Sequence, residues 1–171
     1  MAEDRDTRFL RIVNEHGSAL RRLTLGYERD SGRRQDLEQE ILLAVWQALP
    51  TFAEQCSERT FILRVAHNRA ISHIRHWSLR ATGPLDEEEP IATTEADPEQ
   101  AASQSQRRAA LASAIRSLPL GLRQVILLLL EGLSHREIGE VLGISDGNVA
   151  VRATRARKAL TAALTATQER R

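Results

Sequence analysis

The chain has 171 residues, 42% of them apolar, enough for one domain or two small ones, and its 4% aromatic content and nine glycines favour helices over a β-sandwich. A single cysteine, Cys56, excludes an internal disulfide; the longest apolar run, Val125 to Leu130, is far short of the ~20 residues of a membrane span. The formal charge of +1 conceals a division: residues 1–80 carry 13 basic and 11 acidic side chains, 81–106 none and 7, and 107–171 carry 11 and 5. A basic C-terminal third suits a phosphate-bearing partner, and the acidic middle would be repelled by one. No basic segment followed by an apolar run marks a secretory leader, so a cytoplasmic protein is expected, with no membrane association.

In chain order, the apolar spacing predicts a helix over Phe9 to Tyr27, a polar turn around Asp30 to Gly32, and a second helix over Arg34 to Leu49, stopped by Pro50. On that second helix Leu37, Ile41, Ala44, Val45 and Ala48 form the side to be buried. Asp36, Glu40, Leu43 and Gln47 recur at spacings of four and three on the opposite ridge, with Gln39 beside them. A polar loop, Thr51 to Arg59, leads to a third helix over Thr60 to Ser78, with Ile62, Ala66, Ala70, Ile74 and Trp77 as its core stripe. These elements make a first domain at residues 5–80.

Residues 81–106 contain three prolines, an acidic run and little apolar content, the composition of a flexible linker. A second domain, 107–167, opens with a helix over Arg107 to Ser117, breaks at Leu118-Pro119 and continues with a helix over Leu120 to Glu131 closed by Gly132. Ser134 and Glu137 then form an S-x-x-E capping box, Gly143 supplies a permissive turn, and Ser145 can cap the helix that follows. That last helix buries Val149, Ala153, Ala156, Leu160 and Leu164 and turns Asn148, Val151, Thr154, Arg155 and Lys158 outward. Capped helix, glycine turn, second cap and four basic residues in one short unit are the pattern of a helix-turn-helix that reads the DNA major groove. The expected fold class is therefore all-α: two small helical domains joined by an acidic flexible linker, the second containing a helix-turn-helix.

No nucleophile with base and orienter, phosphate-cradling glycine loop or paired catalytic acids stands out, so neither enzymatic chemistry nor a cofactor is expected. His73 and His76, with His67 and Cys56 nearby, are metal-ligand types, but a second close-spaced pair is missing. Histidines facing solvent or nucleic acid are the simpler expectation, with no metal.

Taken together, DLEQE (Asp36 to Glu40), ALPTF (Ala48 to Phe52), RTFILRVAHNRAISHIR (Arg59 to Arg75) and SLPLGLRQVILLLLEGLSHREIGEVLGIS resemble bacterial sigma factors of the extracytoplasmic-function group. The resemblance runs from about Phe9 to Leu164 and includes the group's missing intermediate domain. It implies a subunit that joins core RNA polymerase and directs initiation at promoter DNA, with an anti-sigma factor as a further partner and a monomer when free. By resemblance, Asp36, Gln39 and Glu40 match the polymerase-docking motif, with Leu43 and Gln47 on the same ridge. The minus-ten element would meet the Thr51 to Arg59 loop and the third helix, through Phe52, Phe61 and Asn68 for an unstacked base and Arg64, Arg75 and His76 for the strand's backbone; Phe52 and Phe61 can equally take a place in the core. The minus-thirty-five element would meet Asn148, Val151, Arg152, Thr154 and Arg155, with Arg157 and Lys158 on phosphates. The chain departs from many relatives in having Asn148 in place of Thr, Ala150, and Arg33-Arg34-Gln35 ahead of Asp36. Two other readings share the same residues: a stand-alone helix-turn-helix regulator, and a sigma-like decoy that occupies an anti-sigma partner.

Overall fold

The structure is a computed structural model that describes residues 4–78 and 98–169, without the side chains of 98–103 and 167–169. Among the described residues seven α-helices form in chain order: α1 (Arg5–Tyr27), α2 (Ser31–Ala48), α3 (Glu58–Ser78), α4 (Pro98–Ser117), α5 (Leu120–Leu130), α6 (His135–Leu142) and α7 (Asp146–Glu169). A single 3₁₀ turn, Leu49–Thr51, follows α2, where Pro50 cannot continue the α-helical hydrogen bonding. The architecture among the described residues is all-helical.

The starts of α2 and α3 follow side-chain caps. Asp30 accepts a bond from Arg33 N at 2.7 Å and begins α2 three residues ahead of the expected Arg34. Ser57 Oγ accepts from Thr60 N at 3.0 Å, and α3 starts at Glu58. The largest difference lies in the expected linker: residues 81–97 fall outside the described residues, but residues 98–106 are already helical. Pro98 occupies the first position of α4, where its missing N–H costs nothing and its fixed φ suits the turn.

The N-terminal unit, α1 to α3, closes around Ile12, Leu20, Leu23, Leu37, Ile41, Val45, Ile62 and Ala66. The C-terminal unit, α4 to α7, closes around Ile115, Val125, Leu128, Ile138, Val149, Ala153 and Ala156. The two units also pack on each other. α1 lies against α4 and α5, and α3 against α6, so that both sets of buried residues merge into one apolar cluster. At Gly26 of α1 the approach is so close that a Cβ there would sit 2.3 Å from Leu127 Cδ2 of α5.

Candidate nucleic-acid and docking surfaces

The α6–α7 pair is built from local signals upward. Ser134 Oγ accepts from Glu137 N at 3.3 Å while Glu137 Oε2 accepts from Ser134 N at 2.8 Å, the reciprocal capping box. The bond from Ser134 N, with those donated by the Ser134 and Thr60 hydroxyls, holds the Glu137 carboxyl below the usual carboxylate range. Gly143 takes the left-handed conformation at φ 67°, ending α6. Ser145 Oγ then accepts from Asn148 N at 3.3 Å at the start of α7. Val149, Ala153 and Ala156 are buried, as the spacing predicts, and Asn148, Val151, Thr154, Arg155, Arg157 and Lys158 are exposed. Ala150, Val151, Thr154 and Arg155 line a shallow hollow of about 350 Å³. The Arg155, Arg157 and Lys158 side chains make no ion pair among the described residues, so their charge is available to an anionic partner.

On α2 the ridge Asp36, Gln39, Leu43 and Gln47 is exposed and Glu40 half-buried, opposite the buried Leu37, Ile41 and Val45. Leu43, 55% exposed, is an apolar side chain held in water between carboxylate and amides. Glu40 differs from Asp36 in already having partners: Arg69 Nε donates to it at 3.0 Å, and His73 Nδ1 lies 3.5 Å away. Glu28 approaches the other His73 nitrogen at 3.4 Å. A pocket of about 290 Å³ opens beside Glu40, lined by Arg69, Ser72, His73 and His76.

The residues expected to form a base pocket are only partly available. Phe61 is buried, its ring 4.8 Å from that of Phe52, so it serves the core rather than an open wall. Phe52 is half-buried under the Arg8 guanidinium, 5.0 Å from its ring centre. Arg64 lies beside Phe61, with Nη2 3.6 Å from Cys56 Sγ. Asn68, Arg75 and His76 are exposed on α3. Asn68 and Arg75 share a cleft of about 360 Å³ with Gln124, Val141, Leu142 and Arg152, so the cleft joins α3 of one unit to α5, α6 and α7 of the other. Arg152 therefore stands apart from the other α7 candidates. It is half-buried and reaches toward the start of α5, with Nη1 3.4 Å from where a Cβ on Gly121 would be.

Comparison with known proteins decides what these surfaces belong to. Residues 12–78 match the family model for sigma-70 region 2, and residues 108–160 that for sigma-70 region 4. The RNA polymerase sigma factor CnrH of Cupriavidus metallidurans is 30% identical over 170 residues, covering 95% of this chain and 89% of CnrH. This chain belongs to the sigma-70 family, in its extracytoplasmic-function group. The RNA polymerase sigma factor NccH of Alcaligenes xylosoxydans xylosoxydans is similar, at 29% identity over 166 residues, 94% of this chain and 88% of NccH. Among solved structures, CnrH in complex with the cytosolic domain of CnrY aligns with a TM-score of 0.66 at 27% identity, covering 92% of this chain and 88% of that one. The sigma factor RpoE in complex with the anti-sigma factor NepR from Bartonella quintana shares the fold, with a TM-score of 0.71 at 19% identity over 92% of this chain and 97% of that one.

This sigma factor is thus a non-enzymatic initiation subunit with a region 2 and a region 4. Among its described residues no helix is long and apolar enough to cross a membrane. The histidine expectation needs correction. His67 and His73 are buried, not solvent-facing: Tyr27 Oη and His67 Nδ1 share a hydrogen bond of 2.8 Å, and Gln124 Nε2 lies 3.3 Å from His67 Nε2. Burial pushes the His67 pKa down to about 4. Of the three α3 histidines His76 alone is exposed. Gly139 also went unnoticed in the sequence: a Cβ there would meet Ile144 O at 2.7 Å, so glycine is what lets the turn close on α6. Its signal was a glycine inside an otherwise helical octet.

Proposed function

We propose that this sigma factor docks on core RNA polymerase through Asp36, Gln39, Glu40, Leu43 and Gln47 of α2, and that its two units divide promoter reading. The 5–80 domain takes the minus-ten element through the α3 surface. The 107–167 domain takes the minus-thirty-five element through α7. The observation that carries this reading is the exposed, unpaired basic face of a capped α7 in the same chain as an exposed carboxylate and amide ridge on α2. Asn148, Val151, Thr154 and Arg155 suit base edges, and Arg157 and Lys158 suit phosphates. Phe61, being buried, supports the loop, leaving Phe52 and Asn68 for an unstacked base and Arg64, Arg75 and His76 for its backbone.

The protein acts in the cytoplasm, where core polymerase resides, and is a monomer when free. The solved relatives bound to the cytosolic domain of CnrY and to the anti-sigma factor NepR support an anti-sigma partner here as well. Run-off transcription with core polymerase and a promoter library tests the whole scheme. The chain should start RNA at sites sharing two spaced elements. Asp36→Ala/Glu40→Ala should lose RNA by losing polymerase, and Arg157→Ala/Lys158→Ala should retain polymerase but lower the salt slope of minus-thirty-five binding by about 2. Polymerase binding unchanged in the first variant would remove the ridge from the scheme.

A further inference from the structure

Glu131 is the most deeply buried acidic side chain among the described residues, 4% exposed, and it stands at the C-terminal cap of α5. A carboxylate is out of place there, because the helix end already carries partial negative charge from its open carbonyls. Its stabilisation comes from the other unit. Arg22 of α1 donates two parallel bonds, Nε to Oε1 and Nη2 to Oε2, each 2.8 Å. Arg59, at the start of α3, brings Nη2 to the Glu131 carbonyl and to within 3.4 Å of Oε2. Around this clamp lie further contacts between units: Thr60 Oγ1 donates to Glu137 at 2.8 Å, Arg116 Nη1 to Leu25 O at 2.8 Å, and Leu127 rests on Gly26.

From this clamp we infer that Glu131, held by Arg22 and Arg59, is a latch keeping the sigma factor in a closed conformer that cannot read both promoter elements at once. The inference rests on the division of promoter reading proposed above. Elements ten and thirty-five bases upstream lie on the order of 80 Å apart along a duplex rising 3.4 Å per base pair. In the closed conformer Asn68 and Arg75, on the minus-ten surface, share one cleft with Arg152, which lies on the same helix as the minus-thirty-five surface, so the two reading helices are held side by side. The two surfaces must separate before both elements are engaged. The latch is a suitable point of control because its arginines are 58% and 46% exposed, so competing charge reaches them, while the glutamate is shielded. The closed fraction lowers the effective concentration of reading-competent protein in proportion.

The test uses the full chain and two variants, Glu131→Gln, which keeps the shape and removes the charge, and Arg22→Ala, which breaks the clamp from the opposite side. Small-angle scattering and far-ultraviolet ellipticity are recorded for each, followed by run-off transcription titrated with sigma factor at fixed core polymerase. The wild type should show a radius of gyration near the ~16 Å of a compact chain of this length. Both variants should expand at unchanged helicity and reach half-maximal RNA at a concentration at least threefold lower. Wild-type dimensions in both helical variants overturn the latch, as does expansion without any gain in RNA. Failure of the promoter-reading scheme looks different: no RNA from any of the three proteins, with scattering still separating variants from wild type. That outcome overturns the latch's role in initiation too.

Discussion

The two units are stabilised in different ways. Of the six buried polar or charged side chains among the described residues, Thr24, Glu28, Thr60, His67 and His73 belong to the N-terminal unit and only Glu131 to the C-terminal one. The C-terminal core is aliphatic, and its helix-turn-helix is set by local caps, the Ser134–Glu137 box and Gly143 on α6 and Ser145 on α7. The N-terminal core is threaded by polar contacts whose partners lie far away in sequence, as in Tyr27 with His67 and the Arg8 and Arg11 pairs with Glu58. A dry core depends on volume, whereas a wired core depends on protonation state as well. Both tryptophans, Trp46 and Trp77, sit in the wired unit, so their fluorescence follows that unit while helical ellipticity follows both.

The comparison breaks most visibly if the dry core is opened. Leu128 is fully buried at 0% exposure, and Leu128→Ala should cost about 2–5 kcal/mol, the transfer and cavity cost of a buried leucine. In urea the ellipticity should then fall in an early phase that leaves tryptophan emission unchanged. Coincident loss of both signals would show that the shared apolar cluster makes the units melt as one body, and the contrast between them would be compositional only.

Acid should strike the other side. His67 is neutral in the folded protein with a pKa near 4, against about 6.5 when unfolded, so between those values the unfolded chain binds the extra proton. The stability this gives is fully present above pH 6.5 and is lost as pH falls, by about 3 kcal/mol at pH 4. The Glu58 carboxyl, lowered by bonds from Arg11 and Arg8, extends the loss to still lower pH in the same direction. Tryptophan-detected urea midpoints should therefore drop between pH 7 and pH 4.5, and His67→Gln should flatten that drop. An equal slope in His67→Gln would move the acid sensitivity elsewhere.

What could be read from the sequence follows the same division. The capping box at Ser134 and Glu137 and the Gly143 turn involve partners within a few residues, and each formed as its spacing implies, whereas of the α7 stripe Val149, Ala153 and Ala156 are buried and Leu160 and Leu164 only half-buried. The exposed ridge on α2 was equally legible, because its opposite face is a regular aliphatic stripe. His67 and His73 were not, because their partners are distant in sequence, Tyr27 and Gln124 for the first and Glu28 and Glu40 for the second; for Phe61 the sequence leaves core and base pocket both open. Nothing local distinguishes a histidine that will meet Tyr27 from one that will meet water. Glu131 and Arg22, 109 residues apart, are illegible for the same reason, and Arg152 was assigned to the groove-facing side although it turns into the cleft between units.

Gly139 sharpens the comparison at a smaller scale. Its substitution by alanine places a Cβ 2.7 Å from a backbone oxygen, which no rotamer change can relieve, and should cost about 1–3 kcal/mol, the range for overpacking. Duplex binding by α7 should weaken in parallel, since the turn sets its angle to α6. Unchanged ellipticity midpoint and duplex affinity in Gly139→Ala would show that the turn relaxes freely.

The smallest effect is expected one turn earlier on the same helix. Arg136 and Glu140 form an i,i+4 pair at 3.3 Å with side chains 81% and 44% exposed, so solvent and salt screen them and Arg136→Ala should change stability by about 0.3–0.5 kcal/mol at most. Glu137, between them in sequence, should behave otherwise: its carboxylate serves the α6 cap and Thr60 at once, so Glu137→Gln removes charge-assisted bonds within the dry unit and across to the wired one. Measured side by side in 0.1 M and 1 M salt, Arg136→Ala should converge on wild type while Glu137→Gln stays apart. A glutamate whose effect vanished in salt would be a surface charge like its neighbour, and the polar contact between the two units at Thr60 would then contribute nothing to holding them together.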